Sequence, residues 1–443
     1  MGRSRTAQAH RATDEYFGLS AEGTTVRAEV VGGTTTFLAM AYILFVNPQI
    51  LGTTGMDVNA VFVATALAAA LGSLVMGLWA RYPIALAPGM GLNAYFAFTV
   101  VLVMGIPWQT ALAGTLVSGV LFFILAVTGI RGVLVNAIPL HLKFATGAGI
   151  GLFIAFIGLK NAGIVVANES TLVGLGDISR PETLLAIFGV LVTATFLIRG
   201  YKGGVFYGLL LTATAGVVTG LTSAPDGVVS SVPSIAPTFG QAIGSLDQLW
   251  TTQMIIVILT MLFVDFFDTS GTLIAVAHQA GFLQNGKLPR ANKALMADSV
   301  ATMGGAVLGT STTTSYIESS SGVSAGARTG LASVVTAGYF LLAIFFSPLL
   351  AVITPEVTAP ALIIVGVLMA QALGDIEWGK LEYAIPAFMT IVAMPLTYSI
   401  ANGIAFGLFL YPIMMVLKGR WRDVHPITYL LFLAVTAYFI WLI

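Results

Sequence analysis

Three acidic residues sit where apolar sequence surrounds them. Asp265 and Asp268 lie in VDFFDTSGT, inside the apolar run from Met254 to Ala277. Glu318 lies in GTSTTTSYIESSSG, between two further apolar runs. A carboxylate at bilayer depth costs about 2.5–3.5 kcal/mol even on a lenient insertion scale. Its natural use is to hold a polar solute or a proton partway across a membrane. Asp265 and Asp268 are three apart, so they fall on one helical face about a turn apart. Two close carboxylates in a poorly hydrated site titrate as a coupled unit, which suits a centre that accepts and releases a proton. The competing role is structural, one Asp capping or bracing the neighbouring Thr/Ser backbone. Glu318 has no basic residue within a turn. When ionised it only accepts hydrogen bonds, as the N–H groups of a heterocycle require. Asn93, in LAPGMGLNAYFAF, both donates and accepts, and it fits a solute ligand and a helix N-cap equally. Tyr95 and Phe96 offer ring faces for stacking or for packing.

The elements that must position these groups are membrane helices. Of 443 residues, 57% are hydrophobic and 9% charged, and the mean hydropathy is +0.94. Soluble domains carry about 25% charged residues. The net charge is zero, so no basic field for nucleic acid exists. Cysteine is absent, and His10, His141, His278 and His425 show no metal-ligand spacing. No metal or other cofactor is expected. HExxH does not occur and no His is placed beside a membrane Ser, so an enzyme is not expected either.

Apolar runs of about 17–25 residues are spanning candidates. Fourteen are read: 31–50, 59–79, 84–104, 109–129, 140–161, 182–198, 203–221, 252–277, 293–309, 312–326, 330–353, 358–374, 382–398 and 401–417. A further run, 427–443, fits either another crossing or an interfacial helix. With the N-terminus in the cytoplasm, all of the 19 Lys and Arg except Lys160 and Arg180 fall on cytoplasmic connections or in the N-terminal tail. That is the positive-inside pattern. The external connections hold Asp57, Glu169, Asp177, Asp226, Asp247 and Glu356.

TFLIRGYKGGVFYGLLLTATAG (195–216) parallels MPLTYSIANGIAFGLFLYPIMM (394–415), with Gly204 and Gly208 matching Gly403 and Gly407 at one offset. The repeat unit is therefore seven crossings, and an odd unit runs inverted in its second copy. Inverted repeats mark secondary transporters, whose sites lie near the midplane at broken helices. Segments three and ten are the breaks. Pro83, Pro88, Gly89 and Gly91 interrupt the first, and the Thr/Ser run 310–315 favours extended backbone in the second. Both are predicted to be a short extended stretch feeding a half-helix, beginning near Asn93 and near Ser315. The Thr runs 34–36 and 312–314 also fit close helix–helix contacts.

Four stretches in this order, TTTFLAMAYILFVNPQIL, APGMGLNAYFAF, FVDFFDTSGTLIAVA and TSYIESSSGVSAGARTGL, resemble the AzgA-like adenine/guanine/hypoxanthine permeases of the nucleobase–cation symporter-2 (nucleobase–ascorbate transporter) family. The resemblance runs from about residue 15 to the end. It implies an all-α polytopic membrane protein of about fourteen transmembrane helices in two inverted seven-helix repeats, with core and gate domains. The tail would be 1–28. Core parts would be 29–135 and 251–354, and gate parts 136–222 and 355–418. An external linker, 223–250, and an extra apolar segment, 419–443, complete the chain. Short antiparallel strands in segments three and ten would meet at a purine site.

The resemblance further implies proton-coupled purine nucleobase uptake across the cell membrane, by a homodimer whose core shifts like an elevator against its gate. H⁺ would be the coupling ion. The family's helix-three Asn falls on Asn93, its stacking aromatic on Phe96, its helix-one small residue on Ala39 and its helix-ten acid on Glu318. Its helix-eight acidic position falls on the Asp265/Asp268 pair. Relatives that carry uracil have Glu-x-x-Gly there; Asp268 and Gly271 fit that spacing and favour Asp268 as the direct ligand. Thr272 stands where those relatives have His, so a Glu–His relay does not carry over. Tyr316 and Ile317 complete the expected substrate site, and Asp265, Asp268 and Glu318 the expected proton site. Rival readings are a same-fold carrier of uracil, xanthine or an anion, and a passive channel.

Overall fold

Lipid offers backbone groups no hydrogen-bond partners, so an apolar chain crosses it as helices that satisfy themselves. The computed structural model of the chain describes residues 13–128, 139–225, 227–283 and 288–441. Arg3, Arg5, Arg11, Arg131, Asp226 and Lys287, used in the charge reading, lie outside the described residues, as does the end of the run 427–443.

Each of the fourteen segments corresponds to an element. Nine helices among the described residues are long and apolar enough to cross a bilayer: Val26–Gly52, Val58–Ala80, Trp108–Thr128, Leu140–Asn161, Pro181–Ile198, Thr252–Ala280, Gly330–Val352, Pro355–Asp375 and Ile400–Leu417. Segments three, seven and thirteen are shorter apolar helices, Met90–Val103, Gly204–Val218 and Leu381–Leu396. Segment nine is Ala291–Leu308. Segment eight, with 29 residues, runs from an N-cap at Thr251 to Gly281, whose φ of 74° closes the helix in the left-handed region. Segment one carries an unexpected joint. It runs as Val26–Met40 and then Ile43–Gly52, with a tight turn at Ala41 and Tyr42.

Segments three and ten are broken as expected. Strand β1 (Leu86–Pro88) and strand β4 (Thr313–Ser315) pair antiparallel, with Leu86 opposite Ser315 and Pro88 opposite Thr313. Pro88 has no N–H to continue a helix, and β-branched threonines favour the pleated backbone. The ladder is extended by Gly89 N to Thr312 O (2.9 Å) and by Tyr316 N to Ala85 O (3.0 Å). Segment two contributes Ser73, whose hydroxyl is donor to Leu86 O and acceptor from Leu86 N. The helices that follow start at Met90 and at Ser319, the latter only six residues long. A second hairpin, β2 (Val165–Asn168) with β3 (Leu172–Leu175), lies between segments five and six.

The helices pack in two groups. Segment one packs on eleven, two on nine and eleven, and four on eight and nine. Separately, five packs on twelve and thirteen, six on seven and twelve, and thirteen on fourteen. The linker 223–250 is tied to the first group by Gly240 N to Val307 O (2.8 Å) and Thr110 Oγ1 to Gln248 Oε1 (2.6 Å). The helix Pro426–Trp441 lies on segment fourteen, where the Phe409 and Phe432 rings stack at 5.4 Å. The two halves are inverted repeats, and the matched glycines make like contacts in each. A Cβ on Gly208 would collide with the Thr193 hydroxyl of segment six, and one on Gly407 with the Thr390 hydroxyl of segment thirteen. Each copy uses the same small-residue contact to bring paired helices together.

Candidate functional site

The acidic residues found in the sequence converge on the β1–β4 crossing. Segment eight presents Asp265 and Asp268 on successive turns. Asp268 faces a cavity of about 530 Å³, a size suited to a small organic ligand. Glu318, just ahead of the six-residue helix, lines the same cavity. So do Ala39 of segment one, Thr272 one turn beyond Asp268, and Ile317, which is 48% exposed. The opposite wall belongs to the other helix group: Gly147, Val205, Val365, Leu368 and Met369. The cavity thus lies between the two groups. At its edge are the exposed residues Gly200, Tyr201 and Lys202, on the connection from six to seven, and Gln371, near the end of segment twelve.

Four expected residues lie elsewhere. Asn93 is fully buried behind β1. Its Oδ1 accepts from the Ser311 hydroxyl and its Nδ2 lies 3.4 Å from Pro88 O. It therefore ties segment three to segment ten from within the first helical turn, and Gly89 holds the N-cap position. Phe96 is wholly enclosed in the core. Tyr316 is 5% exposed, and its hydroxyl donates to Pro88 O at 2.6 Å. Asp265 is fully buried, with Thr302 Oγ1 3.4 Å from its Oδ2.

A fourth carboxylate escaped the sequence reading. Asp298 of segment nine is fully buried, and its Oδ1 accepts from Ser315 Oγ at 2.9 Å. Asp265 has both Asp298 and Asp268 as acidic neighbours. Asp265 Oδ1 and Asp298 Oδ2 receive no donor hydrogen from other described groups. The expected pairing within segment eight is thus spread over two helices. Strand β4 sits amid these acids. Thr302 donates to Thr313 O (2.9 Å), the Thr314 hydroxyl lies beside Asp268, and Ser315 bonds Asp298. The signal for Asp298 was available, because an Asp within an apolar run is itself informative.

Glu318 has one further partner, Tyr42, at the joint in segment one, whose hydroxyl donates to Glu318 Oε1 at 2.7 Å. None of the ion pairs among the described residues involves Asp265, Asp268, Asp298 or Glu318. The cluster is held by hydroxyl and backbone dipoles, which leaves room for a ligand that donates hydrogen bonds or for protons.

The permease family pattern (Xan_ur_permease) matches residues 27–406. The guanine/hypoxanthine permease PbuG of Bacillus subtilis is 58% identical over 436 residues, covering 96% of this chain and 99% of that protein. The adenine permease AdeQ of Escherichia coli is 47% identical, covering 92% of each. Among solved structures, the transmembrane domain of a cyanobacterium bicarbonate transporter, BicA, superposes with a TM-score of 0.66 at 16% identity, covering 85% of this chain and 97% of that one. At that identity the likeness speaks for the fold alone.

Proposed function

This chain belongs to the permease family that matches residues 27–406, in the nucleobase–cation symporter-2 group, and from that premise we propose that it takes up purine nucleobases by proton symport. Its setting would be the cell membrane, as a homodimer, N-terminus in the cytoplasm. Adenine, guanine and hypoxanthine are the substrates this reading names. The observation that carries it is one cavity, set between two helix groups, into which Asp268 and Glu318 both face without a basic partner from an ion pair.

In this reading the purine's N–H edge lies on Glu318 and Asp268, and Ala39 leaves room for the ring. Asn93 and Tyr316 hold the β1–β4 crossing in shape, and Phe96 packs in the core. Thr272 lends a hydroxyl where no histidine stands. A proton held within the carboxyl cluster, Asp265 and Asp298 included, lowers the negative charge of the occupied site. Segments one to four and eight to eleven would then slide as a core against segments five to seven and twelve to fourteen as a gate. A core left charged is held back by the cost of dragging unpaired charge past apolar walls. An anion carrier is disfavoured because a cavity with two carboxylates repels anions.

The test is accumulation of labelled hypoxanthine and adenine in cells lacking their own purine carriers. Symport gives accumulation above the external concentration, and a protonophore collapses it. Equilibration that stops at the external concentration, with or without protonophore, would establish a passive channel instead.

A further inference from the structure

Two of the three charged side chains that line the cavity are acceptors, Asp268 and Glu318; the third is Lys202. Lys202 comes from the other helix group, on the short connection between segments six and seven. That connection is tightly built. Tyr201 N bonds Phe196 O at 2.9 Å, Gly204 N bonds Tyr201 O at 3.0 Å, and the Tyr201 ring sits edge-on to Phe196 at 5.5 Å. From there Lys202 reaches over the cavity edge. Its Nζ donates to Ser321 O at 3.2 Å, on the short helix that begins just after Glu318. An ammonium offers three donor hydrogens and no acceptor; a carboxylate offers the reverse. The cavity therefore has an accepting wall and a donating rim.

A purine with a 6-oxo group carries neighbouring acceptors, O6 and N7, on one edge, and ring N–H donors elsewhere. Adenine presents an amine at position 6, a donor that an ammonium cannot meet. We propose that Lys202 is a specificity-determining residue that binds the O6/N7 edge of oxopurines and so ranks guanine and hypoxanthine above adenine. This rests on the purine-transport reading above. When the purine enters, Nζ exchanges the Ser321 carbonyl for the purine edge, and its two remaining hydrogens stay solvated at the exposed rim.

The test compares wild type, Lys202→Met and Lys202→Arg in cells lacking purine carriers. It uses uptake curves for labelled hypoxanthine and adenine, guanine as competitor, and immunoblots of membrane abundance. Lys202→Met is expected to raise the KM for hypoxanthine and the Ki for guanine about tenfold, the loss of one charge-assisted hydrogen bond, while adenine moves less than about threefold. Lys202→Arg keeps a donor and is expected to retain the wild-type ranking. Equal changes for all three purines, a change confined to maximal velocity, or a wild type that prefers adenine would each overturn the proposal. A wild type that moves no purine at all would instead overturn the transport reading beneath it.

Discussion

At the scale of single residues, the four acids around strand β4 and the cavity are matched by different partners, and the difference sets their expected roles. Glu318 takes a hydroxyl from Tyr42 at 2.7 Å and faces the cavity. Removing that hydroxyl by Tyr42→Phe leaves the carboxylate short of one donor, so purine KM is expected to rise about tenfold. A saturation curve on membranes with equal protein checks it. Asp298 takes its hydroxyl from Ser315 in β4 and lies beside Asp265, away from the cavity lining. Asp298→Asn keeps an acceptor for Ser315 but removes the titrating group. Uptake driven by a proton gradient is expected to fall at least about tenfold, while the protein keeps its melting temperature within about 2 °C. Asp298→Ala should in addition lower stability by about 1–3 kcal/mol, since Ser315 is left buried without its partner. The Glu318, Asp268 and Asp265 positions were legible because a carboxylate in apolar sequence is rare. The nearness of Asp298 to Asp265 was not, because three-residue spacing points along segment eight and this acid comes from another helix. Asn93 and Phe96 were placed in the cavity on type and on family correspondence. Instead Asn93 is bonded behind β1 and Phe96 is enclosed in the core, a matter of helix rotation that residue type does not encode.

At the scale of elements, the breaks were the most readable feature. Prolines in segment three and β-branched threonines in segment ten each exclude a continuous helix, and both became strands of three residues. The pairing between them was implied by family resemblance and not by local sequence. The joint in segment one left no proline or glycine signature at Ala41 and Tyr42, so it was unreadable. The repeat predicts a stability test. Gly407→Val puts a branched side chain against Thr390 of the neighbouring helix. Overpacking of this kind costs about 1–3 kcal/mol, to be read as a lower melting temperature in detergent, with Gly208→Val behaving alike. On the connection after segment twelve, Lys380 holds the exposed Glu377 carboxyl below its ordinary range. A depressed carboxyl contributes stability above its unfolded pKa and loses it as pH falls through the folded value. Wild type and Glu377→Gln should therefore differ slightly at pH 7 and converge below about pH 4. The measurement is melting temperature against pH.

At the scale of the whole molecule, the account depends on two helix groups moving about the cavity between them. The far side of that boundary is closed by Tyr398, between segments thirteen and fourteen. Its carbonyl accepts from Thr99 of segment three at 2.9 Å, and its ring meets Phe98 edge-on at 5.9 Å and Phe153 at 5.3 Å. Movement of one group against the other must break this contact. The chain contains no cysteine, so a Thr99→Cys/Tyr398→Cys pair can be cross-linked without background. Cross-linking is expected to stop uptake and a reductant to restore it; unchanged uptake in the cross-linked protein would rule out a sliding core. The central claim is narrower: the carboxyls of segments eight and ten, brought to one cavity from positions fifty residues apart, hold the purine. Uptake of labelled hypoxanthine and adenine by Asp268→Asn and Glu318→Gln, each at wild-type abundance in the membrane, measures it most directly. Both variants are expected to fall to the level of cells without the carrier. Uptake at the wild-type rate and KM in either variant would contradict it.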